Sequence, residues 1–431
     1  MSSVLPVSAE RAAKRPGELS PARFAAVLAL LVLYSLSLLT IGLRKDWRLL
    51  HEDQGAFYTS LALTHMKAGL ARTRAHDALL DPKTGELEFY GHHPAALALI
   101  LAAVFTATGS AAVAVTRAVP IAFHLASLLL LVRLLRRLVT AEEALFGGFV
   151  FATLPLSSFF GRNVGYEPLC LFAVLIQLDS YVALRQGSRR AFGRLGLGIV
   201  LGGLVDWASF FFAGAIFVAE VFDVVRKRGS MKRLAAIGAL AGGVFLFDIG
   251  HLAWAGGGLA PLREVLFHNR PIEMPLEAFD FLLGQLETFR RYFTHSGLIA
   301  SALALAAILA PRARLGSAWW DVADPGTTRR FLAVSGGAAL AYVAAAPSWA
   351  DVHPHWKFYF LPFVVTSMVL GARALRESLP GTGRLVAGAL VLEVLVTSAY
   401  MLHLRHTRIG GYAVVETARI RERWLPPPLG E

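Results

Sequence analysis

Long apolar runs constrain this chain more than any other feature of its sequence. Eleven recur, at 24–43, 113–135, 144–160, 168–184, 195–205, 208–225, 234–253, 296–310, 331–346, 358–374 and 385–402. About 20 such residues cross a bilayer as a helix, and a helix satisfies its own backbone hydrogen bonds where no water is present. Hydrophobic residues make up 55% of the chain and charged residues 17%, more apolar surface than one soluble core buries. The chain therefore reads as an all-α polytopic membrane protein of about 11 spans. A further stretch, 94–108, breaks the pattern, because its full crossing would invert every later connection; it is expected to be partly embedded or re-entrant. The run 195–205 is short, and is expected to turn tightly into the next.

Charge then orients the bundle. The net charge of +12 lies in short basic clusters between apolar runs: Arg133, Arg136 and Arg137; Arg185, Arg189, Arg190 and Arg194; Arg226, Lys227, Arg228, Lys232 and Arg233; Arg312 and Arg314; Arg329 and Arg330; Arg373, Arg376 and Arg384. Such clusters mark cytoplasmic loops, and no nucleic-acid motif accompanies them. Residues 1–23, with Arg11, Lys14, Arg15 and Arg23, are expected to be an uncleaved cytoplasmic segment, since the run that follows is too long for a signal peptide. A transmembrane domain at 24–403 and a non-cytoplasmic tail at 404–431 complete the organisation. The lone Cys170 excludes an intrachain disulfide and reads as a small buried hydrophobe.

With the basic clusters on one side, the acids, histidines and aromatics collect on the other, in a first outer loop at 44–93, a second at 255–295, and shorter connections. Glu52 and Asp53 follow the first run directly, and ionisable groups at a membrane boundary mark ion paths, substrate sites or catalytic groups. The plainer readings are loop solvation and helix capping, for which Asp is well suited. After them, apolar residues at helical spacing from Gly55 to Leu70 predict an amphipathic helix in the interface plane. Asp81 to Gly85 reads as a turn, and Tyr90-Gly91-His92-His93-Pro94 closes the loop. His92 and His93 have no identifiable third metal ligand, which favours a structural or substrate-contacting role. His124 reads as a packing histidine, while Arg117 and Asp206, inside apolar sequence, read as site residues or structural partners with equal weight.

The series Glu52-Asp53-Gln54-Gly55-Ala56, a helix ending near His65-Met66, Tyr90-Gly91-His92-His93-Pro94-Ala95, then Gly109 and Arg117, resembles the N-terminal signature of polytopic GT-C glycosyltransferases. The nearest group is the superfamily of protein O-mannosyltransferases and lipid A aminoarabinose transferases. The likeness runs over 47–167 and is diffuse beyond. It implies a GT-C-like bundle with amphipathic juxtamembrane helices in the first outer loop. It also implies transfer of a sugar from a polyprenyl-phosphate carrier to an envelope lipid, glycan or protein on the non-cytoplasmic face of a bacterial inner membrane. Asp53 matches the catalytic acid, Glu52 its support, and Glu167 the acid of the second outer loop. Where many members carry a lysine, this chain has Asp206-Trp207, which removes a candidate phosphate-binding cation; His93-Pro94-Ala95 lacks a second proline often seen there.

Such chemistry needs a carboxylate to accept the acceptor's proton and donors to stabilise the departing phosphate. Asp53 is the candidate base, with Glu52 or Glu167 beside it as a like charge or orienting the acceptor. Arg162, His355, Lys357 and Asp206 are the candidates at the donor phosphate, and His92, His93, Tyr58 and Tyr166 at the substrate. No obligate cofactor is expected, and a divalent cation stays open. Two other classes remain: a transporter, for which no inverted symmetry is visible, and a non-catalytic subunit of an envelope polysaccharide assembly.

Overall fold

The computed structural model describes residues 19–47, 52–81, 83–256, 258, 278–309, 319–320, 322–345, 347, 350, 353–379 and 381–408. The second outer loop's Arg263, Glu264, His268, Arg270, Glu273 and Glu277 lie outside them, as do His51, Arg312, Arg314, Asp351 and the tail from 409.

The helices begin and end where local chemistry dictates. The first, α1 (Pro21–Thr40), is capped by the Ser20 hydroxyl, which accepts from the Arg23 N–H at 3.3 Å, and has proline in its first turn, where no N–H is needed. After it come α2 (Asp53–Ala68), α3 (Leu70–Thr73) and a two-stranded antiparallel hairpin, β1 (Ala78–Leu80) with β2 (Leu87–Phe89), in the register Ala78 to Phe89. The expected turn forms between the strands: Asp81 Oδ1 accepts the Lys83 N–H at 2.8 Å, and Gly85 takes a φ of 72°. The helix α4 (Ala96–Thr108) spans about 20 Å, short of a hydrocarbon core about 30 Å thick, and packs on α2.

The bundle proper is α5 (Val113–Leu135), α6 (Ala141–Thr153), α7 (Pro155–Phe160), α8 (Tyr166–Arg185), α9 (Ala191–Gly203), α10 (Ala208–Val225), α11 (Met231–Gly256), α12 (Ala278–Leu309), α13 (Pro325–Ala345), α14 (Leu361–Ser378) and α15 (Thr382–Thr407), with a 3-10 helix at Pro354–Phe360 leading into α14. The expected fold class is borne out. Among the described residues, eight helices are long and apolar enough to cross a membrane. Three of the eleven expected runs differ. The run 144–160 is broken, because Pro155 pushes Leu154 out of the helical region to ψ 135°. The run 195–205 lies in the 13-residue α9. The run 331–346 lies in α13, whose first turns carry Arg329 and Arg330. Within α12, Thr294 has a φ of 68°, strained for a β-branched residue, and the helix restarts there with Glu393 of α15 accepting the His295 and Ser296 N–H groups at 2.8 and 3.0 Å.

The two ends of the bundle differ in character. At one, basic side chains pair with buried acids: Asp179 with Arg133 and Arg137 at 3.2 and 2.7 Å, Asp223 with Arg185 and Arg330, and Glu220 with Arg233 at 2.6 Å. The 20 residues of α8 place Glu167 about 30 Å from Arg185, so the acids and histidines of the first loop gather at the opposite end. Read with the positive-inside rule, that end is expected to face away from the cytoplasm. Single cysteines at the exposed positions 83 and 228, in a Cys170→Ala background, should then label from opposite sides of sealed vesicles, and labelling of both from one side would reject this orientation.

Candidate active site

Glu52 is the N-cap of α2 and is 4% exposed, yet its side chain makes no capping bond. Two buried arginines hold it: Arg162 donates to Oε1 at 2.6 Å, and the Arg117 guanidinium lies 2.8 Å from Oε2. Arg117 also donates to the carbonyls of Leu43 and Lys45 at 2.8 and 2.5 Å, and Arg162 to that of Ile41. The Arg117 guanidinium lies over the Trp47 ring, 4.5 Å from its centroid. Gly55 packs on the same indole so closely that a Cβ there would approach to 2.2 Å, and only glycine lets the first turn of α2 settle. A third buried arginine, Arg405 of α15, donates to the carbonyls of Ser158 and Phe159 at 3.0 and 2.8 Å. Buried charges persist only when paired and hydrogen-bonded, and this set joins α1, α2, α5 and the link between α7 and α8 into one anchor.

Asp53 is in a different position. It is the first helical residue of α2, partly exposed, and makes no hydrogen bond or ion pair with any described residue. Glu52, not Asp53, occupies the N-cap position of α2, and Asp53 stands in its first turn.

Two further groups form at the same end of the bundle. The Gln54 side-chain nitrogen lies 3.4 Å from His355 Nε2, which lies 3.5 Å from Glu167 Oε1. His93 Nδ1 lies 3.2 Å from Asp206 Oδ1, and the Tyr359 hydroxyl donates to Asp206 Oδ2 at 2.5 Å. The His93 ring stacks on Tyr166 at 4.3 Å; the Tyr166 hydroxyl donates to Asp77 at 3.3 Å, and its ring meets the edge of Tyr58 at 5.0 Å. The Trp207 indole donates to the His92 carbonyl at 2.7 Å, so the Asp206-Trp207 pair clasps both histidines of the first loop. His92 itself stacks on Tyr90 at 4.5 Å.

Burial sets the protonation of the loop groups. It pulls His92 down to about 4, helped by neighbouring His93, so His92 is neutral near pH 7. It pushes the Asp77 carboxyl up, against His65 and Tyr166, which pull it down, and it raises the Tyr58 phenol.

The residues singled out in the sequence thus converge on one end of the bundle. Two of the candidate donor groups are engaged otherwise than expected: Arg162 holds Glu52, and the Lys357 ammonium, 1% exposed, donates to the Ala350 carbonyl. Asp206 acts as an acceptor for His93 and Tyr359. His124 is the packing histidine expected, bonded to the Ser157 hydroxyl at 2.9 Å and stacked on Phe151. Sequence reasoning passed over Asp77, Tyr359 and Arg405, and gave Gln54 no role beyond its place in the signature. Tyr359 and Arg405 sit near helix ends, where such residues read as ordinary interface anchors. Asp77 sits in a loop, where a carboxylate carries no signal.

The arrangement of helices has counterparts of known structure. The apo oligosaccharyltransferase of Archaeoglobus fulgidus superposes with a TM-score of 0.56 at 14% identity, over 95% of this chain and 57% of that one. ArnT from Cupriavidus metallidurans bound to undecaprenyl phosphate gives a TM-score of 0.56 at 15% identity, over 93% and 76%. The fold is GT-C. AglB from Archaeoglobus fulgidus, solved with an inhibitory peptide and a dolichol-phosphate, superposes at 0.53 and 14% identity, over 94% of this chain and 56% of its own. The chain therefore spans little more than half the length of the archaeal proteins. No protein-family model matches it, and no curated protein matches its sequence.

Proposed function

We propose that this protein transfers a sugar from a polyprenyl-phosphate donor to an envelope lipid, glycan or protein on the non-cytoplasmic face, with Asp53 as general base. The observation that supports this most directly is the contrast between adjacent carboxylates, Glu52 locked between two arginines and Asp53 partly exposed and without a partner among the described residues. A base must be held in place yet keep its lone pairs for the incoming proton. The Glu52 anchor supplies the first condition and the bare Asp53 carboxylate the second.

In the step proposed, an acceptor hydroxyl or amine attacks the anomeric carbon and its proton passes to an Asp53 oxygen. The bond from that carbon to the phosphate oxygen breaks, and its electron pair leaves with polyprenyl phosphate. Charge grows on the phosphate, and His355, on the 3-10 helix facing Glu167, supplies a donor on that side. Asp206 works through His93 and Tyr359, fixing the His93 ring against Tyr166 and holding the Tyr359 hydroxyl. His92, neutral and stacked, shapes the floor of the loop. The lipid carriers seen in the ArnT and AglB structures fit this donor class.

A strain lacking the gene should accumulate one polyprenyl-phosphate sugar in its lipid extract and lose one substituent from its envelope glycans. Unchanged donors and unchanged glycans would overturn the proposal.

A further inference from the structure

A second feature lies away from this site and does not depend on the glycosyl-transfer reading. Between α6, α12, α14 and α15 is an apolar cavity of about 610 Å³, lined among others by Phe149, Leu303, Trp319, Gly371 and Val391. Along α14 its lining runs from Met368 to Ser378, about 15 Å at the rise of an α-helix. That is one leaflet of a hydrocarbon core about 30 Å thick. An apolar slot one leaflet long has the dimensions of a single acyl chain. It is not closed by its own packing: a Cβ at Gly371 would still stand 3.5 Å from the Trp319 ring.

Its two ends are unlike. At the inner end the Ser296 hydroxyl donates to Glu393 of α15, which closes the slot with a polar pair. At the outer end the lining residues Leu375, Ser378 and Val386 frame the turn between α14 and α15, at the basic end of the bundle. Arg376, whose side chain is 56% exposed, stands there 3.4 Å from Glu143. Arg384 is exposed, and its side chain bonds no described residue. A one-leaflet apolar slot beneath exposed guanidiniums has the form of a basic pocket between membrane helices that takes an anionic headgroup.

We infer that the cavity binds one acyl chain of an anionic phospholipid whose phosphate rests on Arg376 and Arg384. The lipid occupies the end of the bundle opposite Asp53, so it is a resident of the fold and not the sugar donor.

Trp319 lines the slot and is 3% exposed, which makes it the reporter. The purified full chain in detergent micelles is titrated with phosphatidylglycerol or phosphatidylcholine brominated on the acyl chains. Tryptophan quenching is compared with that of Trp319→Phe, so that the difference isolates this residue. Brominated phosphatidylglycerol should quench Trp319 at a mole fraction at least about fivefold below that needed for phosphatidylcholine, since each basic group near an anionic headgroup contributes about 1 kcal/mol. The double variant Arg376→Gln, Arg384→Gln, altered only at exposed side chains, should lose that preference and keep the phosphatidylcholine response. Equal mole fractions for the two lipids in the parent, a preference that survives in the double variant, or quenching that is the same in Trp319→Phe would each overturn the inference.

Discussion

Glu52→Gln should destabilise the fold by about 3–5 kcal/mol, the cost of breaking a buried ion pair by removing one partner. The glutamine has the shape of the glutamate, so little packing is lost. What changes is charge: Arg117 and Arg162, both 1% exposed, keep their guanidiniums while the acid that both contact disappears. Arg405, buried close by, adds to the repulsion. The unfolding midpoint in detergent should fall well below that of the parent, and Arg162→Met made in the Glu52→Gln background should recover part of it, because an unpaired charge leaves with it. A parent-like midpoint for Glu52→Gln would remove the anchor from the account and return Glu52 to the role of a solvated loop acid.

The anchor also explains how much of this site was visible in the sequence. The fold class was legible, because apolar runs of spanning length leave few alternatives, and their ends agree with α1, α5 and α10 to within a few residues. The break at Leu154 was visible in principle, since Pro155 stands in the middle of the run. The placement of the site at one end followed from the basic clusters at the other. The pairing within the site was not legible. Arg162 and Glu52 are 110 residues apart, His93 and Asp206 113, and nothing local to either says that they meet. Arg162 thus read as a candidate for the phosphate with no sign of its pairing with Glu52. The Asp206-Trp207 departure read as the loss of a cation, but Asp206 holds His93 and Tyr359 while Trp207 holds the backbone of His92. The interfacial helix from Gly55 was found where expected as α2, though nine of its sixteen residues are buried, because α4 and the hairpin cover what periodicity alone assigns to lipid.

Asp53 carries the central claim, and the isosteric change to asparagine tests it. Asn fills the same volume at the first helical position of α2, where the Asp53 side chain bonds no described residue. Expression and the unfolding midpoint should therefore stay at parent values, unlike those of Glu52→Gln. Proton acceptance alone is removed, and loss of a general base costs roughly a hundredfold or more in rate. The decisive measurement is the release of polyprenyl phosphate, with transfer of its sugar, by purified parent and Asp53→Asn protein given the same lipid-linked donor and acceptor. The account predicts turnover by the parent and a fall of roughly a hundredfold or more in the variant at unchanged stability. Transfer by Asp53→Asn at the parent rate would contradict it.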